Sequence, residues 1–550
     1  MSSELHRKLE GKLIASCQAT EGDPFRDSSL IATFAKAAVM GGAAAIRADS
    51  PGDIRAIRRE LTVPILGLRK KKHTDGRMLI TPTFEDAKAL VDAGADIVAL
   101  DCTARGQLTG AIERLRRIRS ELKVPVAADI ATVDEGCAAA AAGADFVLST
   151  MRGYTQETSS VTGFEPGFIR ELTGSIDKPV IAEGQIHAPE QARAAIDAGA
   201  FAVVVGTAIS RPRNITGWFA KAVESEYAYV NGNPAFIGID LGGTGTKYGL
   251  VRGRTGEVVF SSAAATPSGC GQEGLLLHLE RVARTALEHG GALGIEPAGI
   301  GIATAGWVDT NRGTVVYATE NLPGWTGTAI AERIGGAFDL PVAVENDANA
   351  LALAEAHFGA GRGLRHFICI TLGTGVGGGC FIDGRVNRGA HFFANAAGHI
   401  TLYPGGLPCS CGKHGCLEPY ANAAALLRYA QGRFSDPRHL IRAANDGDPL
   451  ARHAVRELAN NLAQGCASLV QLLDPEALII SGGLVQDNPL LIDDVRTCLG
   501  EFVSTWQLRG MKVVASDLGY HGGVLGAAAI AAERSRKSLG RSSAPAGARQ

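Results

Sequence analysis

This sequence has almost no net charge: 54 Lys and Arg balance 56 Asp and Glu, for a formal net charge of −2. Nothing in that balance favours a nucleic acid or an anionic membrane as partner. Met1 to Lys12 is polar and has no apolar core of signal-peptide length. Nowhere does a run approach the ~20 apolar residues that a membrane-spanning helix needs. Eleven cysteines are scattered without disulfide spacing, apart from Cys409, Cys411 and Cys416. Long Ser/Gly or Pro linkers are missing too. What remains is ordinary globular composition, 46% hydrophobic and 20% charged, spread over 550 residues. That length exceeds one core and suits two or three domains. The expectation is a cytoplasmic, multidomain, enzyme-like chain.

The first half repeats one unit. Short apolar runs at Leu13–Cys17, Ala43–Ala48, Val63–Leu68, Asp96–Asp101, Val124–Asp129, Asp145–Ser149, Pro179–Glu183 and Phe201–Gly206 read as strands. Helical spacing fills the segments between them, such as Thr83–Ala93, Ala111–Leu122 and Pro189–Ala198. Gly41-Gly-Ala-Ala, Ala93-Gly-Ala-Asp, Ala142-Gly-Ala-Asp and Ala198-Gly-Ala-Phe each end a helix and enter a strand. Eight strands alternating with helices predict a closed (β/α)8 TIM barrel.

In such a barrel the chemistry sits where the strands end. Those ends carry Gln18, Arg47, Lys70, Asp129 and Glu183, then Gly184, Gly206 and Thr207, with Arg211 shortly after. Glycines closing strands seven and eight suit a phosphate group, and Arg211 could clamp it. Taken singly, Lys70, Asp129 or Glu183 reads as a solvated rim charge. Converging above a phosphate site, they suggest proton transfer on a sugar phosphate. No dinucleotide fingerprint occurs in this half.

Ser16-Cys-Gln18, Ala45-Ile-Arg47, Pro64-Ile-Leu-Gly-Leu-Arg-Lys70 and Ile181-Ala-Glu-Gly184 resemble the N-acylglucosamine-6-phosphate 2-epimerase family over about the first 220 residues. The resemblance implies that Lys70 and Glu183 handle the proton at C2, with Gln18, Arg47 and Asp129 contacting substrate. It implies no cofactor for epimerisation.

Ile215–Ala228 reads as a closing helix, and Asn231-Gly-Asn-Pro234 as a breaker. A domain of residues 1–230 is therefore expected, with a second over 235–533. The second opens on Phe236-Ile-Gly-Ile-Asp240-Leu-Gly242-Gly243-Thr244-Gly-Thr246-Lys247. This is either a glycine hairpin between antiparallel strands or a polyphosphate loop with Asp240 on a metal ion. A second such loop, Gly373-Thr374-Gly375, follows the strand Phe367–Leu372, and Ser481-Gly-Gly483 adds a third glycine turn. Three glycine loops suit a two-lobed nucleotide cleft. Asp347, at a strand-to-helix corner, is either a general base or a helix cap. Ala528–Gln550 lacks an apolar period and is expected to fray, with 534–550 a disordered tail.

His399…Cys409-Ser-Cys411-Gly-Lys-His-Gly-Cys416 holds three thiols and an imidazole, a complete zinc set with His414 as rival nitrogen. Four ligands leave no open position, so a structural role is expected. These residues, with Asp240-Leu-Gly-Gly-Thr244, Asn321-Leu-Pro-Gly-Trp325 and Glu345-Asn-Asp-Ala-Asn-Ala350, resemble the ROK sugar kinases over about 235–533. The resemblance implies an actin-like (RNase H-like), two-lobed fold that binds ATP and Mg2+, with Zn2+ on His399 and the three cysteines. Asp347 would take the proton of the sugar 6-hydroxyl, and Asn346, His399 and Glu418 would hold the sugar. One departure stands out. Members commonly carry Glu-x-Gly-His where this chain has Ala396-Ala-Gly-His399. That speaks against ordinary glucose specificity and for a 2-acetamido sugar.

Together the halves imply consecutive reactions, 6-phosphorylation of N-acetylmannosamine and 2-epimerisation of its 6-phosphate, with small-molecule substrates and an oligomer of identical chains as partners. The alternatives are a sugar-sensing ROK-type regulator, or a kinase acting on N-acetylglucosamine or glucose. Regulators of that family carry a helix-turn-helix where this chain has a barrel.

Overall fold

The computed structural model describes residues 2–20, 22–72, 78–319 and 322–541. Asn321 and the tail from residue 542 lie outside them. Two compact units are present, one ending at Val223 and one running Glu224–Arg541. That boundary falls earlier than residue 230. Tyr229, 9% exposed, packs in the core of the second unit with Phe236.

In the first unit, β1 (Leu13–Cys17), β2 (Ala45–Asp49), β3 (Ile65–Leu68), β4 (Ile97–Asp101), β5 (Val126–Asp129), β6 (Phe146–Leu148), β7 (Val180–Ala182) and β8 (Ala202–Val205) close into a barrel. Neighbours pair in parallel, and Ala15 closes the ring between Ile46 and Val205. Ile14, Leu66, Ile97, Phe146, Ile181 and Val204 fill the interior with Leu9 of the first helix. Their neighbours in sequence, among them Ala15, Ile65, Val98, Val147 and Val203, pack under the helices. Burial on both faces gives continuous apolar strands, and each large side chain so buried contributes roughly 1.5–3 kcal/mol. Gly42, Gly94, Gly143 and Gly199, at the recurring helix ends, have φ of 106°, 107°, 99° and 97°. That left-handed turn costs a side chain and suits glycine. Lys70–Lys72 and Met78–Ile80 add a hairpin that the sequence does not announce.

The second unit contains two five-stranded sheets of one topology. Its first sheet uses β9 (Ala235–Leu241), β10 (Gly245–Arg252), β11 (Val258–Ala265), β12 (Pro297–Thr304) and β13 (Val342–Asn346), in the order β11-β10-β9-β12-β13. The other uses β14 (Phe367–Leu372), β15 (Val376–Ile382), β16 (Arg385–Val386), β17 (Ala477–Ser481) and β18 (Lys512–Ala515), ordered β16-β15-β14-β17-β18. Each begins with an antiparallel hairpin whose turn is glycine-rich, and ends in two parallel additions. This duplicated arrangement is the actin-like, two-lobed fold.

The C-terminal segment is no frayed tail where it is described. Gly522–Arg541 is a helix, with Ala528 to Ala532 buried and Arg536 paired to Glu226. Val524, Leu525 and Ile530 of this helix are buried in the core, and beside them the backbones themselves touch. A Cβ at Gly238 or Gly301 would overlap the Val524 or Ala527 carbonyl, and one at Gly526 would overlap that of Ala350. Among the described residues, no helix is long and apolar enough to cross a membrane.

Candidate active sites

The barrel mouth is built on Arg47, 1% exposed in the middle of β2. Its Nη2 lies 2.8 Å from Asp129 Oδ2 and its Nη1 lies 3.0 Å from Glu183 Oε2. Thr150 ties the same acids together, donating to Asp129 Oδ1 at 2.5 Å or to Glu183 Oε2 at 2.9 Å. Burial opposes the charge on Arg47, but Asp129 and Glu183 outweigh it and raise its pKa. Glu183 and Lys70 move in opposite directions. Burial raises the Glu183 carboxyl against the pull of Arg47, while burial, with Arg211 and Arg47 nearby, depresses the Lys70 ammonium despite Asp49. Both shifts favour the neutral form of the group.

Gln18 is buried beside them. Its Nε2 donates to Ser16 Oγ at 2.8 Å, and its Oε1 has no hydrogen-bond partner in the chain. Gly206 precedes the short helix Thr207–Ser210 and approaches Ser16 so closely that a Cβ would lie 3.3 Å from the serine Cβ. Gly184 adopts φ +99° beside the Thr150 carbonyl. The expected barrel residues thus gather at one end, and Thr150 and Ser149 join them. Ser149 Oγ donates to the Glu183 carbonyl at 2.8 Å. Neither was legible as functional, because a hydroxyl residue at a strand end has no distinctive spacing.

In the second unit, Asn346 caps the helix Asp347–Phe358, its Oδ1 accepting from Ala348 and Asn349 N–H at 3.0 and 3.1 Å. The capping alternative for Asp347 therefore belongs to its neighbour. Asn346 Nδ2 donates to Asp347 Oδ1 and to the Gly306 carbonyl, each at 2.9 Å. Burial, then the nearby Asp240 charge, raises the Asp347 pKa to about 6. Asp240 is itself raised by burial, partly countered by Lys247. Its carboxylate lies against Gly523, where a Cβ would overlap it. Behind Asp347, buried Glu345 is held by Arg388 Nε at 2.6 Å.

Both glycine turns close on themselves, Gly242 N–H to the Gly245 carbonyl at 3.1 Å and Gly373 N–H to that of Gly375 at 3.0 Å. Gly243, Thr244 and Thr374 lie in those turns, and Thr244 and Thr374 are exposed. Thr246 corrects the sequence reading. It is 0% exposed, and its hydroxyl meets Thr266 and His278 instead of the cleft, because alternation along β10 turns it inward. Lys247, on the other face, places Nζ 4.3 Å from the Tyr520 ring centroid and donates to its carbonyl.

Glu418 bridges the second glycine turn and the cysteine knuckle. Its Oε2 accepts from Val376 N–H at 3.0 Å and its Oε1 from Ser410 at 2.7 Å. A Cβ at Gly375 would stand 2.6 Å from Oε2. His399, Cys409, Cys411 and Cys416 place one ligand atom each within 4.8 Å of all the others. Cys411 and Cys416 Sγ are 3.7 Å apart, and Cys409 Sγ is 3.5 Å from His399 Nδ1. The edge of a tetrahedron with metal–sulfur bonds of about 2.3 Å is about 3.8 Å, so the set fits one metal ion. His414 is exposed and outside the cluster. Trp307 lies near His399 in a tilted arrangement, 6.3 Å between centroids, with Tyr317 and Phe393 each 5.6 Å from Trp307. The sequence reading missed this aromatic wall, since its members come from separate segments.

Known proteins resemble each half and the whole. The ROK family matches residues 236–534, and the family described as "Putative N-acetylmannosamine-6-phosphate epimerase" matches 31–225. A "Bifunctional enzyme NanE/NanK" of Brucella melitensis is 35% identical over 97% of this chain and 98% of its own length. A Streptomyces coelicolor protein named "Glucokinase" is 37% identical over 54% of this chain and 97% of itself. The crystal structure of a ROK family transcriptional regulator, homologous to E. coli MLC, covers 61% of this chain and 91% of its own, at TM-score 0.53 and 24% identity, which speaks for the fold. A closed barrel with Arg47, Asp129 and Glu183 gathered at one end, joined to an actin-like domain with two glycine turns, belongs with enzymes that carry an epimerase and a kinase domain. The chain belongs to the bifunctional NanE/NanK enzymes, and its second half to the ROK family.

Proposed function

We propose that the second half transfers the γ-phosphoryl group of ATP to the 6-hydroxyl of N-acetylmannosamine, and that the barrel converts the product to N-acetylglucosamine 6-phosphate. The observation that carries this reading is the chain-long match to a bifunctional relative, over sites whose charges suit both steps. In the barrel, Lys70, whose ammonium pKa is depressed by burial, takes the C2 proton of the opened sugar, which is acidic because C1 is a carbonyl. Glu183, whose carboxyl pKa is raised by burial, returns a proton to the opposite face, and Arg47 and Asp129 hold the acid in place. Gln18 offers its unpartnered Oε1 to a sugar hydroxyl. Gly184, Gly206, Thr207 and Arg211 hold the phosphate.

In the kinase half, Asp347 accepts the 6-hydroxyl proton, and Asn346, His399 and Glu418 orient the sugar. The turns at Gly242–Thr244 and Gly373–Gly375 hold the nucleotide with Lys247. Asp240 would bind the Mg2+ that accompanies ATP and screens its phosphate charge. The cysteine knuckle and His399 would hold Zn2+, which contributes folding free energy to this domain. Cys411→Ser is accordingly expected to lose zinc and lower the melting temperature of the kinase half, with epimerase activity retained. Metal analysis of the purified variant checks this, and full zinc content would refute the ligand set.

The glucokinase resemblance favours glucose as a second reading. Ala396, which removes a carboxylate from the sugar side, favours the acetamido sugar. NMR on each sugar with ATP and magnesium, following both phosphorylation and C2 inversion, distinguishes them. Phosphorylation of glucose with N-acetylmannosamine left untouched would overturn the proposal.

A further inference from the structure

We infer that His278 is a positioning residue for the nucleotide-phosphate turn, acting through Thr246 and Thr266 on the carbonyl of Gly242. The inference rests on the kinase reading above. Three separate elements supply the chain: β10 carries Thr246, Thr266 follows β11, and His278 lies in the helix Gly271–Ala292. All three are nearly inaccessible, at 0%, 9% and 3% exposure. Arg281 Nη2 approaches His278 Nδ1 at 2.8 Å, and His278 Nε2 approaches Thr246 Oγ1 at 2.8 Å. Thr246 Oγ1 and Thr266 Oγ1 are 2.8 Å apart, and Thr266 Oγ1 donates to the Gly242 carbonyl at 2.7 Å.

The two ends of this chain fix the direction of every bond in it. A guanidinium can only donate, so His278 Nδ1 is the acceptor and the ring proton sits on Nε2. A carbonyl can only accept, so the Thr266 proton points to Gly242 and its lone pairs are left for Thr246. His278 therefore donates to Thr246, and Thr246 to Thr266. Each hydroxyl donates one bond and accepts another, so the buried set is satisfied without water. Burial and the adjacent Arg281 also depress the His278 pKa, which supports the neutral ring that the directions require.

The far end of the chain governs the turn. Thr266 holds it twice, with its hydroxyl on the Gly242 carbonyl and its N–H on the Thr244 carbonyl at 3.1 Å. The Gly245 carbonyl is taken by Gly242 N–H. Three carbonyl oxygens of the turn are thus committed to protein donors. A free carbonyl facing a phosphate repels it, and an anion-binding turn must keep its amide edge outward. The Gly242 carbonyl is tied by a side chain, and that side chain is set by His278.

The test is steady-state kinetics of the full-length enzyme with ATP and sugar varied separately. His278→Leu and Thr266→Val are each expected to raise KM for ATP roughly 3- to 10-fold, the worth of one net hydrogen bond. KM for the sugar and the epimerase rate should stay at wild-type values. His278→Gln and Thr266→Ser, which keep a donor, should restore most of the ATP affinity. The double variant His278→Leu/Thr266→Val should be no worse than the poorer single one, because both cut the same chain. An unchanged KM for ATP in both single variants overturns the inference while the kinase reading stands. So does an equal loss for ATP and sugar, which marks general damage. A wild-type chain with no ATP-dependent phosphorylation overturns both.

Discussion

Asp347→Asn is expected to bind N-acetylmannosamine with near-wild-type affinity and to lose at least ~10²-fold in phosphoryl transfer, the low end for removal of a general base. Asparagine keeps the size of the side chain and one acceptor oxygen, so Ala348 N–H, 2.8 Å from Oδ1, can keep its partner. What disappears is the ability to accept the hydroxyl proton as the new bond forms. The pH profile adds a second reading. A pKa raised to about 6 leaves the basic form dominant at neutral pH and titrates it away as the pH falls. Kinase turnover should therefore fall roughly 10-fold between pH 7 and pH 5 in the wild type. The asparagine variant should lose that dependence. Near-wild-type turnover in the variant would place the base elsewhere in the cleft.

Lys70→Ala should abolish epimerisation by about 10²- to 10⁴-fold with phosphorylation unaffected. In D2O, wild-type enzyme given the 6-phosphate should wash deuterium into C2 as it inverts that centre, and the variant should do neither. An alanine variant that exchanged the C2 proton at the wild-type rate would remove the lysine from the mechanism. Glu183 is the harder residue to vary. Arg47 is buried between it and Asp129, and removing one carboxylate leaves an undercompensated guanidinium. Folding must be measured alongside rate there, whereas partly buried Lys70 allows a cleaner comparison.

The barrel was legible because its strands are buried on both faces and its helices stop at repeated glycines. Neither signal depends on distant contacts. That Asp129 and Glu183 share one mouth was legible from their strand ends, but their pairing with Arg47 was not, since spacing along the chain does not say which side chains touch until the barrel closes. In the kinase half, the two glycine turns and the cysteine knuckle carry their chemistry in local spacing. Thr246 was misread because a threonine beside a phosphate loop looks like a ligand, and only the alternation along β10 turns it inward. The final helix escaped for the opposite reason. Pattern reading looks for a run of large apolar residues, and Gly522–Arg541 packs mostly through alanines and close backbone approaches, with Val524, Leu525 and Ile530 as its large buried apolar residues.

That seam restricts which sequences the kinase half tolerates. Side-chain interfaces absorb substitution by changing rotamers, but a glycine laid against a carbonyl has nothing to rotate. The same surface backs Asp240, whose carboxylate abuts the Cα of Gly523. An alanine at 523 would displace the acid, since its Cβ would overlap Asp240 Oδ2. The place of the acid is therefore set as much by the bare backbone of a neighbouring glycine as by the ion it would bind.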